Sequence, residues 1–146
     1  MKKSFYRGVF EPTHKEKYIG TCNPHYDSSW ELKVYSHFDR NPNVIKWGAQ
    51  ISQIHYFDPV KNKLRRYIVD VYVQYRDRNG SIIEELIEIK PYKQTCEPKP
   101  SRGKKKSTLL QEQLTWTTNN AKWAAAAKYC KERRWTFRLL TEKDIF

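Results

Sequence analysis

Cysteine is scarce in this sequence, which has three among its 146 residues. Cys22, Cys96 and Cys130 are an odd number at wide spacing, so they form neither a disulfide framework nor a Cys-x-x-Cys metal site. The four histidines are scattered without the spacing of metal ligands. The sequence therefore predicts reduced thiols in a reducing cytosol and no metal centre of Cys or His ligands.

Long apolar runs are absent as well. No segment approaches the roughly 20 apolar residues of a transmembrane helix, and the start MKKSFYRGVF lacks the long apolar stretch and cleavage site of a signal peptide. No helical pattern combines a basic face with a bulky apolar face. We therefore expect a soluble, unexported protein that does not bind membranes.

Acidic residues are few compared with basic ones. Asp and Glu number 16 and Lys and Arg 28, which gives a formal net charge of +12. An excess of this size on a small chain favours a polyanionic partner, because neutralising phosphates releases condensed counterions. DNA, RNA and acidic proteins all stay open at this point.

Aromatic residues, by contrast, are abundant. Five Trp, ten Tyr and six Phe supply apolar area for a small core, so we expect one folded domain over residues 1–146. Two segments lie outside that core in the prediction. One is a basic, irregular arm over residues 1–26, and the other is a flexible basic loop over residues 91–107, where three prolines accompany six Lys or Arg residues.

Periodicity predicts a chain of alternating helices and strands. Ser28 is a candidate N-cap for a helix that buries Trp30, Val34 and Phe38 and ends before Pro42. Residues 44–57 are expected to form one or two strands, residues 65–90 a hairpin, and residues 135–140 a final strand followed by a short capped turn.

A second helix is predicted over residues 108–134, with a break into two helices considered at residues 117–120 because Thr and Asn are poor helix formers. Its expected apolar positions are Leu110, Leu114, Trp123, Ala127 and Cys130.

The hairpin contains a residue that is unusual in a strand. Asp70 lies between Val69 and Val71, although aspartate is depleted in strands. Folding the chain about Asn79-Gly80, a strong turn signal, brings position 70 opposite position 88 to within one residue of register. Two opposed carboxylates roughly 5 Å apart repel each other unless a cation lies between them.

Two interpretations of this pair of acids stand side by side. In the first, the face is solvated and Lys90 neutralises one of the carboxylates. In the second, Asp70 and Glu88 share Mg²⁺, or Mn²⁺ in its place, and the carbonyl of Ile89 adds an oxygen ligand. The ion would then activate a bound water and brace a phosphodiester oxygen. Lys90 could orient that water or stabilise the negative transition state.

The combination of Asp70 with Glu88-Ile89-Lys90 resembles the signature of the PD-(D/E)xK nucleases. This resemblance implies a restriction-endonuclease-like fold of the α/β (α+β) class, in which helices flank a central mixed sheet. It also implies metal-dependent hydrolysis of phosphodiester bonds.

Further segments make the resemblance more specific, and together they cover nearly the whole chain. Those similar to transposon endonuclease subunits are, in order, SSWE at 28–31, NPNVIKW at 41–47, RRYIVD at 65–70 and IEIKP at 87–91. Those that resemble the head-completion nucleases of large contractile-tailed bacteriophages are YRGVFEP, HKEKYIG, NNAKWAAAAKYC and TFRLLTE.

The resemblance assigns a role to a glutamate of the first helix. In these families that residue joins the metal site, and Glu31 occupies its position, although Ser28 to Glu31 also fits a capping box. Three positions depart from the family pattern: Val69 replaces the motif proline, Asp27 a frequent Arg, and Gln50 a frequent Glu.

Taken with the charge, the resemblance implies a Mg²⁺-dependent DNA endonuclease that processes the end of packaged phage DNA. The expected catalytic residues are Glu31, Asp70, Glu88 and Lys90, and the expected metal ligands are Glu31, Asp70, Glu88 and Ile89. The expected DNA-binding residues are Arg65, Arg66, Lys93, Lys99, Arg102, Lys104, Lys105 and Lys106.

The remaining expectations concern partners and location. DNA is the expected partner, with head or neck proteins of the phage as further candidates and no nucleotide cofactor. The expected place is the host cytoplasm during phage assembly, with association with the virion left open. Two alternatives stand: a non-catalytic head-completion protein that binds DNA ends, and the cutting subunit of a transposase.

Overall fold

The structure, a computed structural model, describes residues 7–145, so Lys2 and Lys3 of the predicted arm lie outside the described residues. In chain order the elements are β1 (Gly8–Val9), β2 (His25–Tyr26), α1 (Ser29–Arg40), β3 (Val44–Asp58), β4 (Lys63–Arg76), β5 (Ile82–Ile89), α2 (Lys106–Arg133), β6 (Thr136–Leu140) and α3 (Glu142–Ile145). No helix among residues 7–145 is long and apolar enough to cross a membrane.

A four-stranded mixed sheet forms the centre, in the order β3-β4-β5-β6. The first three strands are antiparallel, and β6 runs parallel to β5. Adjacent residues of a strand point to opposite faces. Ile87 accordingly packs in a cluster with Val34 and Phe38 of α1, whereas its neighbour Leu86 packs with Trp123 of α2. The two helices therefore cover opposite faces, and the predicted fold class is confirmed.

Helix α1 forms as its sequence predicts. Ser28 is the N-cap, and its Oγ accepts a hydrogen bond from the Glu31 N–H at 3.2 Å. Trp30, Val34 and Phe38 are buried, as the four-residue spacing requires. Asn41 ends the helix next to Pro42.

Helix α2 differs from the prediction in its continuity. It begins at Lys106 and runs without a break through residues 117–120. The Thr117 hydroxyl donates to the carbonyl of Gln113, and the Asn120 amide donates to that of Trp116. Because these polar groups bond to the preceding turn of the helix, they do not compete with its backbone here.

The buried face of α2 was also predicted incorrectly in part. Trp123 and Cys130 are buried, but Leu110 and Leu114 are exposed, and Ala126 takes the buried place expected for Ala127. Packing against the sheet begins only near Trp116, so the earlier turns have no strand to cover them. Residues 91–105, with a 3-10 turn at Tyr92–Thr95, lie beside those turns instead.

The segment before β2 is held in place, although little of it has regular structure. The Ile19 N–H donates to Trp47 O, and the Trp47 N–H donates to Lys17 O. The Lys17 ammonium donates to the carbonyls of Asp39 and Asn41 at the end of α1. Lys17, which was predicted to belong to a basic arm, therefore stabilises a helix terminus.

Candidate active site

The pairing of β4 with β5 sets Asp70 against Glu88. The paired positions run from Arg76 opposite Ile82 to Val71 opposite Ile87, and Asp70 and Glu88 are the next residues beyond this last pair. Gly80 closes the hairpin turn with a φ of 79°, a conformation that glycine adopts without steric cost. The register predicted from the sequence is confirmed.

Asp70 marks the point at which this ladder ends. Its Oδ2 accepts a hydrogen bond from the Ile89 N–H at 2.8 Å, so a side chain binds the backbone there. The faces of β4 also change at this residue, because Val69 packs with the α2 cluster and Val71 with the α1 cluster. In a regular strand Val69 and Val71, which are two residues apart, would point to the same face. The strand is therefore distorted at Asp70.

A bulge in β3 lies across from the same point. Ala49 pairs with Val71 and Ser52 with Val69, so two residues of β3 stand opposite Asp70. One of them, Gln50, has a φ of 55°. Bulges often occur beside active sites, where they redirect side chains. The distortion of two strands therefore coincides with the aspartate selected from the sequence.

The two carboxylates act on each other electrostatically. Burial and the Glu88 carboxylate raise the pKa of Asp70 to about 7, against the Ile89 N–H and the charge of Lys90, which lower it. Glu88 is buried, and its Oε2 lies 3.6 Å from the Lys90 ammonium. Its Oε1 has no hydrogen-bond partner among residues 7–145. The pair is thus incompletely neutralised by the chain's own groups.

Glu31 lies in the first turn of α1. Its Oε1 accepts a hydrogen bond from the Asp27 N–H at 3.0 Å, which supports the capping interpretation. Burial raises the pKa of Tyr35 above its usual range, and the charges of Glu31 and Asp70 raise it further. Both carboxylates therefore lie within electrostatic range of the Tyr35 hydroxyl.

These carboxylates do not form a three-ligand cluster. Within residues 7–145 no group of three or more His, Cys, Asp or Glu side chains is close enough to hold a metal ion. Glu31 as a third ligand therefore stays a prediction.

Two residues on the opposite side of the pair were missed by sequence reasoning. Burial raises the pKa of the Tyr67 hydroxyl, and the Glu88 carboxylate raises it further, which places the two groups near each other. The Lys122 ammonium lies 5.6 Å from the centre of the Tyr67 ring. Burial lowers the pKa of Lys122, as does the charge of Lys90. Lys122 is thus a second cation within electrostatic range of Glu88.

No local signal identifies Lys122 in the sequence. It lies between Ala121 and Trp123 in a helix that contains several other lysines. Its place beside Glu88 depends on how α2 packs across the sheet.

The predicted DNA-binding residues fall into several environments. Arg65 Nη1 lies 3.3 Å from the carboxylate of the buried Asp58, whereas Arg66 is exposed on the other face of β4. The Lys104 ammonium lies 2.8 Å from Glu112 Oε1. Arg65 and Lys104 therefore have structural partners already.

The others are exposed along the segment from β5 to α2: Lys93, Lys99, Arg102, Lys105 and Lys106. Their contact with DNA stays a prediction.

The donor set at Asp70 and Glu88 fits a hard divalent cation. Carboxylate oxygens are the ligands that Mg²⁺ prefers. An ion between them would relieve the repulsion that raises the pKa of Asp70. The observation thus favours the second interpretation of the pair over a plainly solvated sheet face.

Comparison with known proteins places the chain in a family. Residues 41–142 match the TnsA-like endonuclease N-terminal family. The chain belongs to this family. The match includes Asp70, Glu88, Lys90 and Lys122 and begins after Glu31. The chain is also 37% identical, over 144 residues, to the head completion nuclease of Enterobacteria phage T4, an alignment that covers 96% of this chain and 93% of that protein.

Proposed function

We propose that this protein is a Mg²⁺-dependent DNA endonuclease that processes DNA ends during completion of the phage head. The observation that carries the proposal is the closeness of Asp70 and Glu88, whose charges act on each other, with Lys90 at 3.6 Å from Glu88. Family membership and the name of the T4 relative support nuclease chemistry, and the net charge of +12 supports a DNA substrate.

The residues divide the work as follows. Asp70 and Glu88 would hold the divalent cation, with the carbonyl of Ile89 and the carboxylate of Glu31 as further oxygens. When bound, the cation supplies Lewis-acid activation of water and of the phosphodiester group. The hydrogen bond from the Ile89 N–H orients Asp70, and the ion pair with Lys90 orients Glu88.

Lys90 has a role that separates an enzyme from a DNA binder. Its ammonium shares a strand face with Glu88 and can approach a phosphate oxygen on which negative charge develops. Binding affinity has many other cationic sources in this chain, so the loss of Lys90 should affect cleavage far more than affinity.

The test is cleavage of linear and circular DNA by the purified protein, with Mg²⁺ and with chelator. The wild type should cut only with the ion. Lys90→Ala and Lys90→Arg should bind DNA almost normally and cut at least about tenfold more slowly, a barrier increase of roughly 1.4 kcal/mol. Lys128→Ala, at an exposed site on α2, is the control and should cut normally.

Two results would count against the proposal. Cutting by Lys90→Arg at the wild-type rate would reduce this lysine to a structural counter-charge. If the wild type failed to cut DNA with every divalent ion tested, the non-catalytic DNA-end binder would be the better assignment.

A further inference from the structure

A groove of about 780 Å³ lies between the loop that follows β5 and the first turns of α2. The residues that matter for its chemistry are Tyr92, Lys93 and Lys99 on the loop and Thr115, Trp116 and Asn119 on the helix. The groove is separate from the carboxylate pair.

Both walls of the groove lead to the candidate active site. On the loop, Tyr92 comes two residues after Lys90. On the helix, Asn119 is followed one turn later by Lys122, whose charge interacts with those of Lys90 and Glu88. A chain molecule that lay in the groove could therefore continue to the acids without turning away from the surface.

The lining combines aromatic rings with positive charge. Trp116 is half-buried and Tyr92 is exposed, so both rings have accessible surface. The charged side chains that line the groove are Lys93, Lys99 and Lys104 against Glu97 and Glu112. Lys104 is paired with Glu112, so the positive charge of the lining comes from Lys93 and Lys99. Proteins bind single-stranded nucleic acid with this combination, in which aromatic rings stack on bases and cations follow the phosphates.

The size of the groove points the same way. Its volume of about 780 Å³ lies within the roughly 300–1,000 Å³ of ordinary ligand pockets, which is enough space for a few nucleotides of one strand. The excess of basic residues on the loop, residues 91–105, favours an anionic ligand over a basic peptide.

We propose that this groove binds a short unpaired segment of DNA and leads it to Asp70 and Glu88, so that the preferred substrate is a DNA end or junction with a single-stranded tail. This inference rests on the proposed nuclease function for its biological meaning. The groove itself can be tested by binding alone.

The experiment compares a blunt duplex with the same duplex carrying a short single-stranded tail, by fluorescence anisotropy in chelator. Two variants add one negative charge to the same helix. Thr115→Glu places it in the groove, and Gln113→Glu places it at an exposed site about 200° around the helix, outside the groove. Because the net charge changes equally, any difference between the variants reports the position of the charge.

The wild type should bind the tailed duplex at least about fivefold more tightly than the blunt one, roughly what one stacked base contributes. Thr115→Glu should reduce that preference to less than about twofold, whereas Gln113→Glu should retain it. Equal binding of the two duplexes by the wild type, or equal effects of the two variants, would overturn the proposal.

The result is distinguishable from a failure of the proposed function. A protein that prefers tails through Thr115 but cuts no DNA would refute the nuclease assignment and leave the groove assignment in place. A protein that cuts DNA but shows no effect specific to Thr115 would overturn the groove assignment and leave the nuclease assignment in place.

Discussion

Asp70 is the residue on which the site depends most, and its environment makes its negative charge costly. It is largely buried, it lies beside Glu88, and these two effects raise its pKa to about 7. Active sites commonly keep such groups because a ligand or substrate later compensates the charge. In the absence of an ion, the fold has to tolerate the repulsion.

The first prediction follows from that cost. The folded-state pKa of Asp70, about 7, exceeds the ordinary aspartate value of 3.8, so the unfolded chain releases a proton that the folded protein retains between those pH values. The contribution of this residue to stability is therefore lost as pH rises from about 4 to 7. Asp70→Asn keeps an oxygen to accept from the Ile89 N–H but cannot ionise.

In chelator at pH 8, Asp70→Asn should therefore be more stable than the wild type by about 2–4 kcal/mol, with little difference at pH 4. Urea unfolding at both pH values measures the difference. If the free energies of unfolding of the two proteins changed equally with pH, ionisation of Asp70 would not destabilise the fold.

Lys122 provides the second prediction at this scale. Its charge interacts with those of Glu88 and Lys90, so we expect its ammonium to contact a phosphate near the acids. Lys122→Gln should slow cleavage by about 10- to 100-fold and leave the free energy of unfolding nearly unchanged. Lys128→Gln, which removes an exposed lysine from the same helix, should leave the rate unchanged. Equal rates for the two variants would remove Lys122 from the site.

At the scale of the element, α2 has an unfavourable beginning. Its N-cap is Lys105, whose side chain makes no capping hydrogen bond, and Lys106 follows as the first helical residue. The N-terminus of a helix carries a partial positive charge, so two lysines there oppose the helix dipole. The arrangement is understandable if these lysines serve to bind a polyanion.

The third prediction separates the two effects. Lys105→Ser should raise the free energy of unfolding by about 1 kcal/mol, because serine caps a helix well. The same change should reduce the slope of log K against log salt for duplex DNA by about 0.9, the effect of one lost phosphate contact. Lys128→Ser removes the same charge without creating a cap. It should neither raise the free energy of unfolding nor reduce the salt slope. An unchanged salt slope for Lys105→Ser would mean that this lysine does not contact DNA.

At the scale of the whole molecule, the three carboxylates predicted to bind the ion come from one helix and two strands. Glu31 comes from α1, Asp70 from β4 and Glu88 from β5. An ion bound by all of them would connect α1 to the sheet and should stabilise the whole fold by mass action.

The fourth prediction uses that coupling. Saturating Mg²⁺, at about 100 times its dissociation constant, should stabilise the wild type by about 2.7 kcal/mol, and Asp70→Asn should lose most of that gain. Glu31→Gln keeps an oxygen for the Asp27 N–H while removing the charge, so a smaller gain in this variant would make Glu31 a ligand. If Mg²⁺ stabilised Glu31→Gln as much as the wild type, Glu31 would serve only as a helix cap. Thermal unfolding with and without the ion measures all three proteins.

Much of the fold and the centre of the site could be predicted from the sequence, because both depend on local patterns. Alternation along β4 and β5, together with the glycine of the turn, sets the hairpin register, and the register alone puts Asp70 opposite Glu88. The capped start of α1 and its buried stripe are equally local. The excess positive charge is a property of composition and needs no structure.

Other features were decided by packing between segments that are distant in sequence. Lys104 pairs with Glu112, Lys17 binds the end of α1, and Lys122 lies beside Glu88, yet each reads in the sequence as one more basic residue. The groove exists because the first turns of α2 extend past the sheet and the loop after β5 lies beside them. Periodicity assigns a residue to a face of its own element, but the neighbour that meets this face is set by the tertiary arrangement of all the elements together.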